Sequence, residues 1–350
     1  MKLHVFNPEH DLALAANLSN FTAPLAGRQL RADLGFIPAI WASNDDYILV
    51  EDVKQAESAY GQLCAELGLE PKQFVDKSQL HRLYINKVEP WGWDFALRSF
   101  LLRYGVKAVP TEGEIASIRD LSHRRQTVKL LSEFQMEGVI GTSNEVVSIE
   151  DVKQLQNSHR HIVVKAPWSS SGRGVRFIDD AVDCYQERWI NNVIEKQGSV
   201  MVEPYYNKVI DFGMEFESNG DGHVSYLGLS LFHTVNGAYN GNLIAVEKDK
   251  REILNKYFPD VLVDSVKKKI CDCLGEIFRG KYKGPFGVDM MIVAVDDNKG
   301  FLLHPCVEIN LRRTMGHVAL AIPTFADSYK HVMEITKRED NFKVILSQIS

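Results

Sequence analysis

Gly287-Val288-Asp289-Met290-Met291-Ile292-Val293 and Leu302-Leu303-His304-Pro305-Cys306-Val307-Glu308-Ile309-Asn310 read as two apolar strands from which three oxygen-bearing side chains project. Side chains alternate faces along a strand, so Glu308 and Asn310 share one face while Ile309 points to the other. Asp289 joins them in one register only. A four-residue turn, Asp297-Asn298-Lys299-Gly300, pairs Asp296 with Phe301, and the constant index sum of an antiparallel pair then sets Asp289 opposite Glu308. A five-residue turn would put the two carboxylates on opposite faces. Two carboxylates and an amide oxygen on a rigid sheet match what magnesium takes from a protein when nucleotide phosphates and waters complete its shell. The competing reading is an ordinary solvated sheet face.

The chain of 350 residues is long enough for two or three packed units, and 45% hydrophobic with 25% charged residues is ordinary for a globular protein. Lys plus Arg 40 against Asp plus Glu 46 gives a formal charge of −6, with no basic tail, so nucleic acid is not an expected partner. Five cysteines, Cys64, Cys184, Cys271, Cys273 and Cys306, are odd in number and scattered. Cys271 and Cys273 alone cannot make a four-ligand zinc site, and reduced thiols in a cytoplasmic protein are expected. Met1-Lys2-Leu3-His4-Val5-Phe6 is too short and too soon charged for a secretory signal. No uninterrupted apolar run approaches the roughly 18 residues of a membrane helix.

Residues 3–6, 37–41, 47–50 and 107–110 read as strands, and 23–34, 53–68 and 93–104 as helices, an α/β pattern with a mostly parallel sheet. Pro110-Thr111-Glu112-Gly113 marks a boundary by its turn composition. Beyond it, 122–137 has helical spacing (Val128, Leu131, Phe134), 162–165, 200–203, 212–216 and 224–232 read as strands, and 261–279 as a long helix. The expected organisation is an N-terminal α/β domain over 1–115, then an α+β unit divided into 116–205 and 206–350.

Ile162-Val163-Val164-Lys165 runs into Ala166-Pro167-Trp168-Ser169-Ser170-Ser171-Gly172-Arg173-Gly174, whose backbone amides could close around phosphate oxygens, with Lys165 adding a point charge. The loop lacks the Gly-Lys-Ser/Thr ending of a Walker motif, and a plain hairpin turn is the alternative. Further on, the strand Val200-Met201-Val202 breaks into Glu203-Pro204-Tyr205-Tyr206, a polar segment able to pair with an adenine edge while aromatic side chains cover its face. Pro204 offers only a carbonyl there.

A strand ending in Lys, a Ser/Gly phosphate loop, a Glu-containing hinge, and a late Gly-Val-Asp strand followed by Glu-x-Asn occur in the order of the ATP-grasp superfamily, which the chain resembles over 122–316. The resemblance is nearest to uncharacterised bacterial ATP-grasp proteins with Leu-Ser-His-Arg and Asn-x-Arg-x-Thr-Met-Gly segments. It implies an open parallel-sheet (pre-ATP-grasp) domain on the substrate side, over 1–115, that helps bind substrate, followed by a two-lobed ATP-grasp domain that holds ATP. It also implies an ADP-forming carboxylate-amine ligase. Carried over residue by residue, Lys165 contacts the nucleotide phosphates and Ser169, Ser170, Ser171, Gly172 and Gly174 cover them. Glu203, Pro204, Tyr205 and Tyr206 form the adenine hinge, Asp211 falls near the ribose, and Asp289, Glu308 and Asn310 hold Mg2+, or Mn2+ as an alternative. Arg312 sits by the transferring phosphoryl group. Two positions depart from the pattern: Arg125 stands where the family has an early lysine, with Lys129 as a rival, and Leu311 replaces the usual proline between Asn and Arg.

A carboxylate becomes a good electrophile once phosphorylated, and the protein's share is positioning and charge neutralisation. The expected reaction phosphorylates a small carboxylate for attack by an amine or thiol, with ADP and phosphate released. A non-enzymatic nucleotide sensor or scaffold, or a small-molecule phosphotransferase, would use the same cleft. No membrane partner is expected, and a homodimer is an open alternative. Residues 233–242, with their glycines, have a composition suited to a closing loop, with a surface connection as the alternative. Asn7-Pro8-Glu9-His10-Asp11 follows the first strand, where open parallel sheets bind ligands, although Asn7 or Asp11 could equally cap a helix. Trp91-Gly92-Trp93-Asp94 reads either as pocket wall or as core. His233, His304 and His317 lack ligand spacing.

Overall fold

The computed structural model describes residues 1–169, 174–235, 238–295, 300–324 and 330–349. The chain packs into two units, the first made of residues 1–119, 240–246 and 312–350, the second of 120–239 and 247–311. The segment 206–350, expected as one lobe, is thus shared between them.

The first unit is built on a four-stranded sheet in the order Gln73–Val75, Tyr47–Leu49, Lys2–Val5, Lys87–Pro90, every pairing parallel. Helices Leu25–Leu34 and Val53–Leu67 lie in the crossovers that parallel neighbours require. Two expected strands are absent. Residues 37–40 form a 3-10 turn, Ile37–Ile40, because Pro38 at its start supplies a helical φ and the Ala39 amide closes on the Phe36 carbonyl at 2.8 Å. Residues 107–110 are irregular, with the Val109 amide bonded to the Lys107 carbonyl at 2.9 Å. Gln73–Val75 and Lys87–Pro90 take their places in the sheet. Its apolar faces meet two clusters of buried side chains, one around Ile48, Leu34 and Tyr60, the other around Leu3, Leu80 and Leu101.

Three antiparallel strands complete this unit. Lys330–Arg338 pairs with Ala238–Ile244 on one side and Asn341–Ile349 on the other. Glu339 and Asp340 turn the last hairpin with φ of 48° and 69°, the left-handed pair that a two-residue turn between twisted strands needs. The stretch 233–242 therefore lies mostly in strands Val224–Val235 and Ala238–Ile244 rather than in a loop; Asn236 and Gly237 lie outside the described residues.

The second unit carries two sheets. One, ordered Asn144–Val146, Val200–Pro204, Ile162–Lys165, Val175–Ile178, is antiparallel throughout and buries Ile162, Val164 and Val202 against helices Ile149–Ser158 and Cys184–Gln197. The other places Gly300–Asn310, Gly284–Val295, Lys208–Ser218 and Val224–Val235 side by side, again antiparallel. Helix Asp260–Phe278 buries Val263, Val266, Ile270, Leu274 and Phe278, the three-to-four spacing of a single helix face. A parallel-sheet N-terminal domain followed by antiparallel-sheet lobes is the expected fold class. Among the described residues no helix is long and apolar enough to cross a membrane, and all five cysteines are free.

Candidate nucleotide and metal site

The hairpin that carries the oxygen ligands brings Asp289 directly opposite Glu308, but not through the expected turn. Near the turn Ala294 pairs with Phe301 and Val295 with Gly300; Asp296, Asp297, Asn298 and Lys299 lie outside the described residues. That register would set Asp289 against Cys306. Between Met291↔His304 and Asp289↔Glu308, however, Met290 faces three residues, Pro305, Cys306 and Val307. Pro305 has no amide hydrogen for the ladder, which suits it to such a bulge. The shift is of two residues, so every side chain keeps its face. Asp289 and Glu308 consequently share one side of the sheet with Asn310, whose Nδ2 donates to Asp289 Oδ2 at 2.9 Å.

The neighbouring strand continues this face. Gly213 pairs with Asp289 and Asp211 with Met291, so Asp211 points to the same side two rows along. Gly213 leaves space beside the carboxylate: a Cβ there would lie 3.5 Å from Asp289 Oδ1 and 3.2 Å from the Val288 carbonyl. Asp211 itself is held by Lys208 Nζ at 2.5 Å and by the Thr234 hydroxyl at 2.9 Å.

Arg124 ties this face to the Ser/Gly loop that follows Lys165. It is buried at the N-cap of helix Arg125–Ser132; its Nη2 donates to Glu308 Oε1 at 2.6 Å, and its Nη1 to Ser169 Oγ at 2.8 Å and to the Ala166 carbonyl. The resemblance implies Arg125, or Lys129, near phosphate. Arg125 instead lies toward Asp120 (3.5 Å) and Glu145 (3.9 Å), and Lys129 is exposed. Successive positions at a helix start differ by about 100° in direction, and nothing in Ser122-His123-Arg124-Arg125 marks which arginine turns inward.

At the mouth of the loop the Ala166 amide bonds the Gly174 carbonyl at 2.8 Å, and Gly174 packs so closely on Ser169 that a Cβ would fall 2.2 Å from the serine Cβ. Ser170, Ser171 and Gly172 lie outside the described residues. Lys165 ends its strand almost wholly buried, its Nζ 2.5 Å from Glu203 Oε2 and 3.4 Å from the Val307 carbonyl of the bulge. Each charge is compensated by the other, as a buried pair must be.

The expected hinge keeps its strand through Pro204. The Tyr205 amide is spent on the His161 carbonyl (2.9 Å) and its exposed ring meets Phe177 edge-on. The Tyr206 hydroxyl accepts the Thr142 amide at 3.1 Å, and burial raises its pKa above the usual phenol value. Against Tyr206 stands His304, fully buried, with no partner at either ring nitrogen. Desolvation, with the positive charge of Lys165 second, lowers its pKa to about 3. Gly141, at φ 142°, leaves it room, since a Cβ there would lie 2.8 Å from Nε2. His304 is a single histidine without ligand spacing, and its burial beside Tyr206 has no sequence signal beyond an apolar neighbourhood.

Arg312 belongs to the first unit, where its Nε lies 3.0 Å from both oxygens of Asp11 and its Nη2 2.8 Å from Oδ2. Asp11 therefore holds an arginine rather than capping a helix. Asn7 is no cap either, its Nδ2 donating to the Gly92 carbonyl at 2.8 Å and to Asp94 at 3.1 Å. Trp91 is core, edge-on to Phe6 at 5.0 Å.

Two carboxylates and an amide on one sheet face form a hard-oxygen donor set that fits magnesium. Among the described residues no three His, Cys, Asp or Glu side chains gather as a metal site; beside Asp289 and Glu308 the third oxygen on this face would be that of Asn310.

No protein-family model matches the sequence, and no curated protein matches it. Solved structures do. Biotin carboxylase from Campylobacter jejuni, in its β-γ-ATP complex, aligns with a TM-score of 0.55 and 12% identity over 95% of this chain and 75% of that one. A protein from Archaeoglobus fulgidus assigned to the ATP-grasp superfamily aligns over the whole of both chains, with a TM-score of 0.51 and 12% identity. N5-carboxyaminoimidazole synthetase from Staphylococcus aureus, complexed with ADP, gives 0.50 and 12% over 97% and 83%. At such identities the likeness concerns architecture, and the architecture is the one expected: this chain has the fold of the ATP-grasp superfamily.

Proposed function

We propose that the protein is an ATP- and magnesium-dependent ligase that phosphorylates a small carboxylate and passes the acyl group to an amine or thiol, with release of ADP and phosphate. The observation that carries this reading is the alignment of Asp289, Asn310 and Glu308 on one sheet face, with Arg124 joining Glu308 to the loop that begins at Ser169. A ligand-free polar surface has no need of a buried arginine spanning a carboxylate and a Ser/Gly loop. The likeness to structures solved with ADP and with a β-γ-ATP ligand supports the same reading.

In this reading Lys165 and Arg124 neutralise phosphate charge, Ser169 and Gly174 shape the loop over it, and Glu203 holds the Lys165 ammonium in place. Residues 203–206 and Asp211 are assigned to adenine and ribose. Asp289, Glu308 and Asn310 would hold Mg2+, which would supply charge neutralisation between the terminal phosphates. Arg312 is assigned to the phosphoryl group on its place in the chain, two residues past Asn310.

Hydroxylamine trapping tests the reaction. An ATP-dependent hydroxamate from a panel of small carboxylic acids is the expected result. ADP formation without hydroxamate would replace the ligase with a phosphotransferase, and tight ATP binding with neither product would replace it with a nucleotide sensor.

A further inference from the structure

His123 stands one residue before Arg124 in the second unit and is only 2% exposed. Its Nδ1 accepts the Arg125 amide at 3.0 Å, and its carbonyl accepts the Gln126 amide at 3.0 Å. Amides at a helix start have no partner within the helix, and Arg124, at the N-cap, supplies no side-chain acceptor. His123 therefore takes both of the amides that follow Arg124, one with its ring and one with its backbone.

The other side of the ring is held from far along the chain. Nε2 lies 3.4 Å from Ser199 Oγ and 3.5 Å from Glu145 Oε1. The Ser199 hydroxyl donates to Glu145 at 2.8 Å, so its oxygen is left to accept. One tautomer satisfies the chain of groups, with Nδ1 bare toward the Arg125 amide and the proton on Nε2 toward Ser199. The ring also meets Trp168 edge-on, centroids 4.6 Å apart, and the Arg124 amide bonds the Pro167 carbonyl at 3.3 Å. These contacts join the first turn of helix Arg125–Ser132 to the segment that carries the Ala166 carbonyl and Ser169 Oγ, both acceptors of the Arg124 guanidinium.

Successive helix positions differ by about 100° in direction, so the rotation of this one turn decides whether residue 124 or residue 125 faces Glu308. We propose that His123, as the neutral ring protonated at Nε2, is a positioning residue that aims Arg124 at Ser169 and Glu308 and leaves Arg125 turned toward Glu145. It acts through Arg124 rather than on the nucleotide. The inference rests on the reading above in which Arg124 neutralises nucleotide phosphate.

Isothermal titration calorimetry with ADP and magnesium on the full chain, read beside the thermal midpoint, tests it. His123→Asn keeps an acceptor where Nδ1 stands and should bind ADP within about threefold of the wild type. His123→Phe keeps the edge contact with Trp168 but has no acceptor, and should bind about tenfold more weakly. In an Arg124→Gln background His123→Phe should weaken ADP no further, because its effect passes through Arg124. A ring that merely supported the fold would weaken ADP alike in both backgrounds. His123→Gln, which also lacks an acceptor at the Nδ1 position, carries the same comparison should His123→Phe not fold. Undiminished binding in the variant without the acceptor, an equal loss in His123→Asn, or a full further loss in the Arg124→Gln background would overturn the positioning role and leave the nucleotide reading standing. Absence of ADP binding by the wild type would overturn that reading and the proposal with it.

Discussion

Arg124 Nη2 lies 2.6 Å from Glu308 Oε1, across 184 residues of chain, while the other arm of the same guanidinium holds Ser169 Oγ and the Ala166 carbonyl. One side chain thus fixes the Glu308 carboxylate and the start of the Ser/Gly loop together. Arg124→Ala should lower ATP turnover by at least about 10²-fold, the usual consequence of removing a preorganised charged donor. Arg124→Lys should recover only part, because an ammonium cannot reproduce the fork. Arg125→Ala, which removes weaker and more exposed contacts, should stay within a few fold. ADP release measured on the three variants decides the matter, and equal losses at 124 and 125 would reject the assignment.

Asp289→Asn and Glu308→Gln keep the shape of the sheet face and remove its charge. Turnover should fall by at least about 10²-fold in each, with little change in the thermal midpoint. Full activity in both would end the metal assignment. A loss restored by high magnesium would support it, since weakened coordination responds to concentration.

The Lys165 and Glu203 side chains are 9% and 5% exposed at a separation of 2.5 Å. Removing one partner strands a buried charge, so Lys165→Met or Glu203→Gln alone should cost about 3–5 kcal/mol of stability. The double variant should be more stable than the sum of the two losses predicts. Strict additivity in urea unfolding would mean that the pair does not interact.

Gly174 meets the Ser169 Cβ so closely that Gly174→Ala must displace the loop mouth. The expected outcome is a raised KM for ATP with the fold retained. Gly174→Ala combined with Ser169→Gly should recover much of the loss, because the collision is with that side chain; no recovery would assign the defect to the backbone.

The Asp289–Glu308 pairing was legible, yet for an incomplete reason. Alternation and the index sum place both on one face, but the hairpin begins two residues out of step and is corrected by the three-residue bulge at Pro305, Cys306 and Val307. An even shift preserves faces, which is why a wrong register still gave the right neighbours. Strand Ile162–Lys165 was legible because four buried apolar-stem residues in a row suit only a covered strand. Gln73–Val75 and Lys87–Pro90 were not, since three or four residues with a polar end carry too little periodicity, and their place is set by neighbours. Arg124 and Gly213 were missed for another reason: their roles come from contacts far along the chain, and no local pattern separates Arg124 from Arg125.

His304 gives the protein a predictable acid response. Its pKa is held at about 3 against an ordinary 6.5, first by desolvation and then by Lys165. Below pH 6.5 the unfolded chain takes up a proton that the folded chain refuses, so the stability tied to the neutral ring is complete above 6.5 and drains as the pH falls toward 3. Between pH 7.5 and 5.0 this should remove about 2 kcal/mol. His304→Leu has no proton to gain, and its urea-unfolding free energy should lose that much less than the wild type over the same interval. Groups elsewhere titrate alike in both proteins and cancel in the comparison. Identical pH profiles would mean that the ring is protonated in the fold or shielded in the unfolded chain, and either would contradict a neutral, unpartnered imidazole between Gly141 and Tyr206.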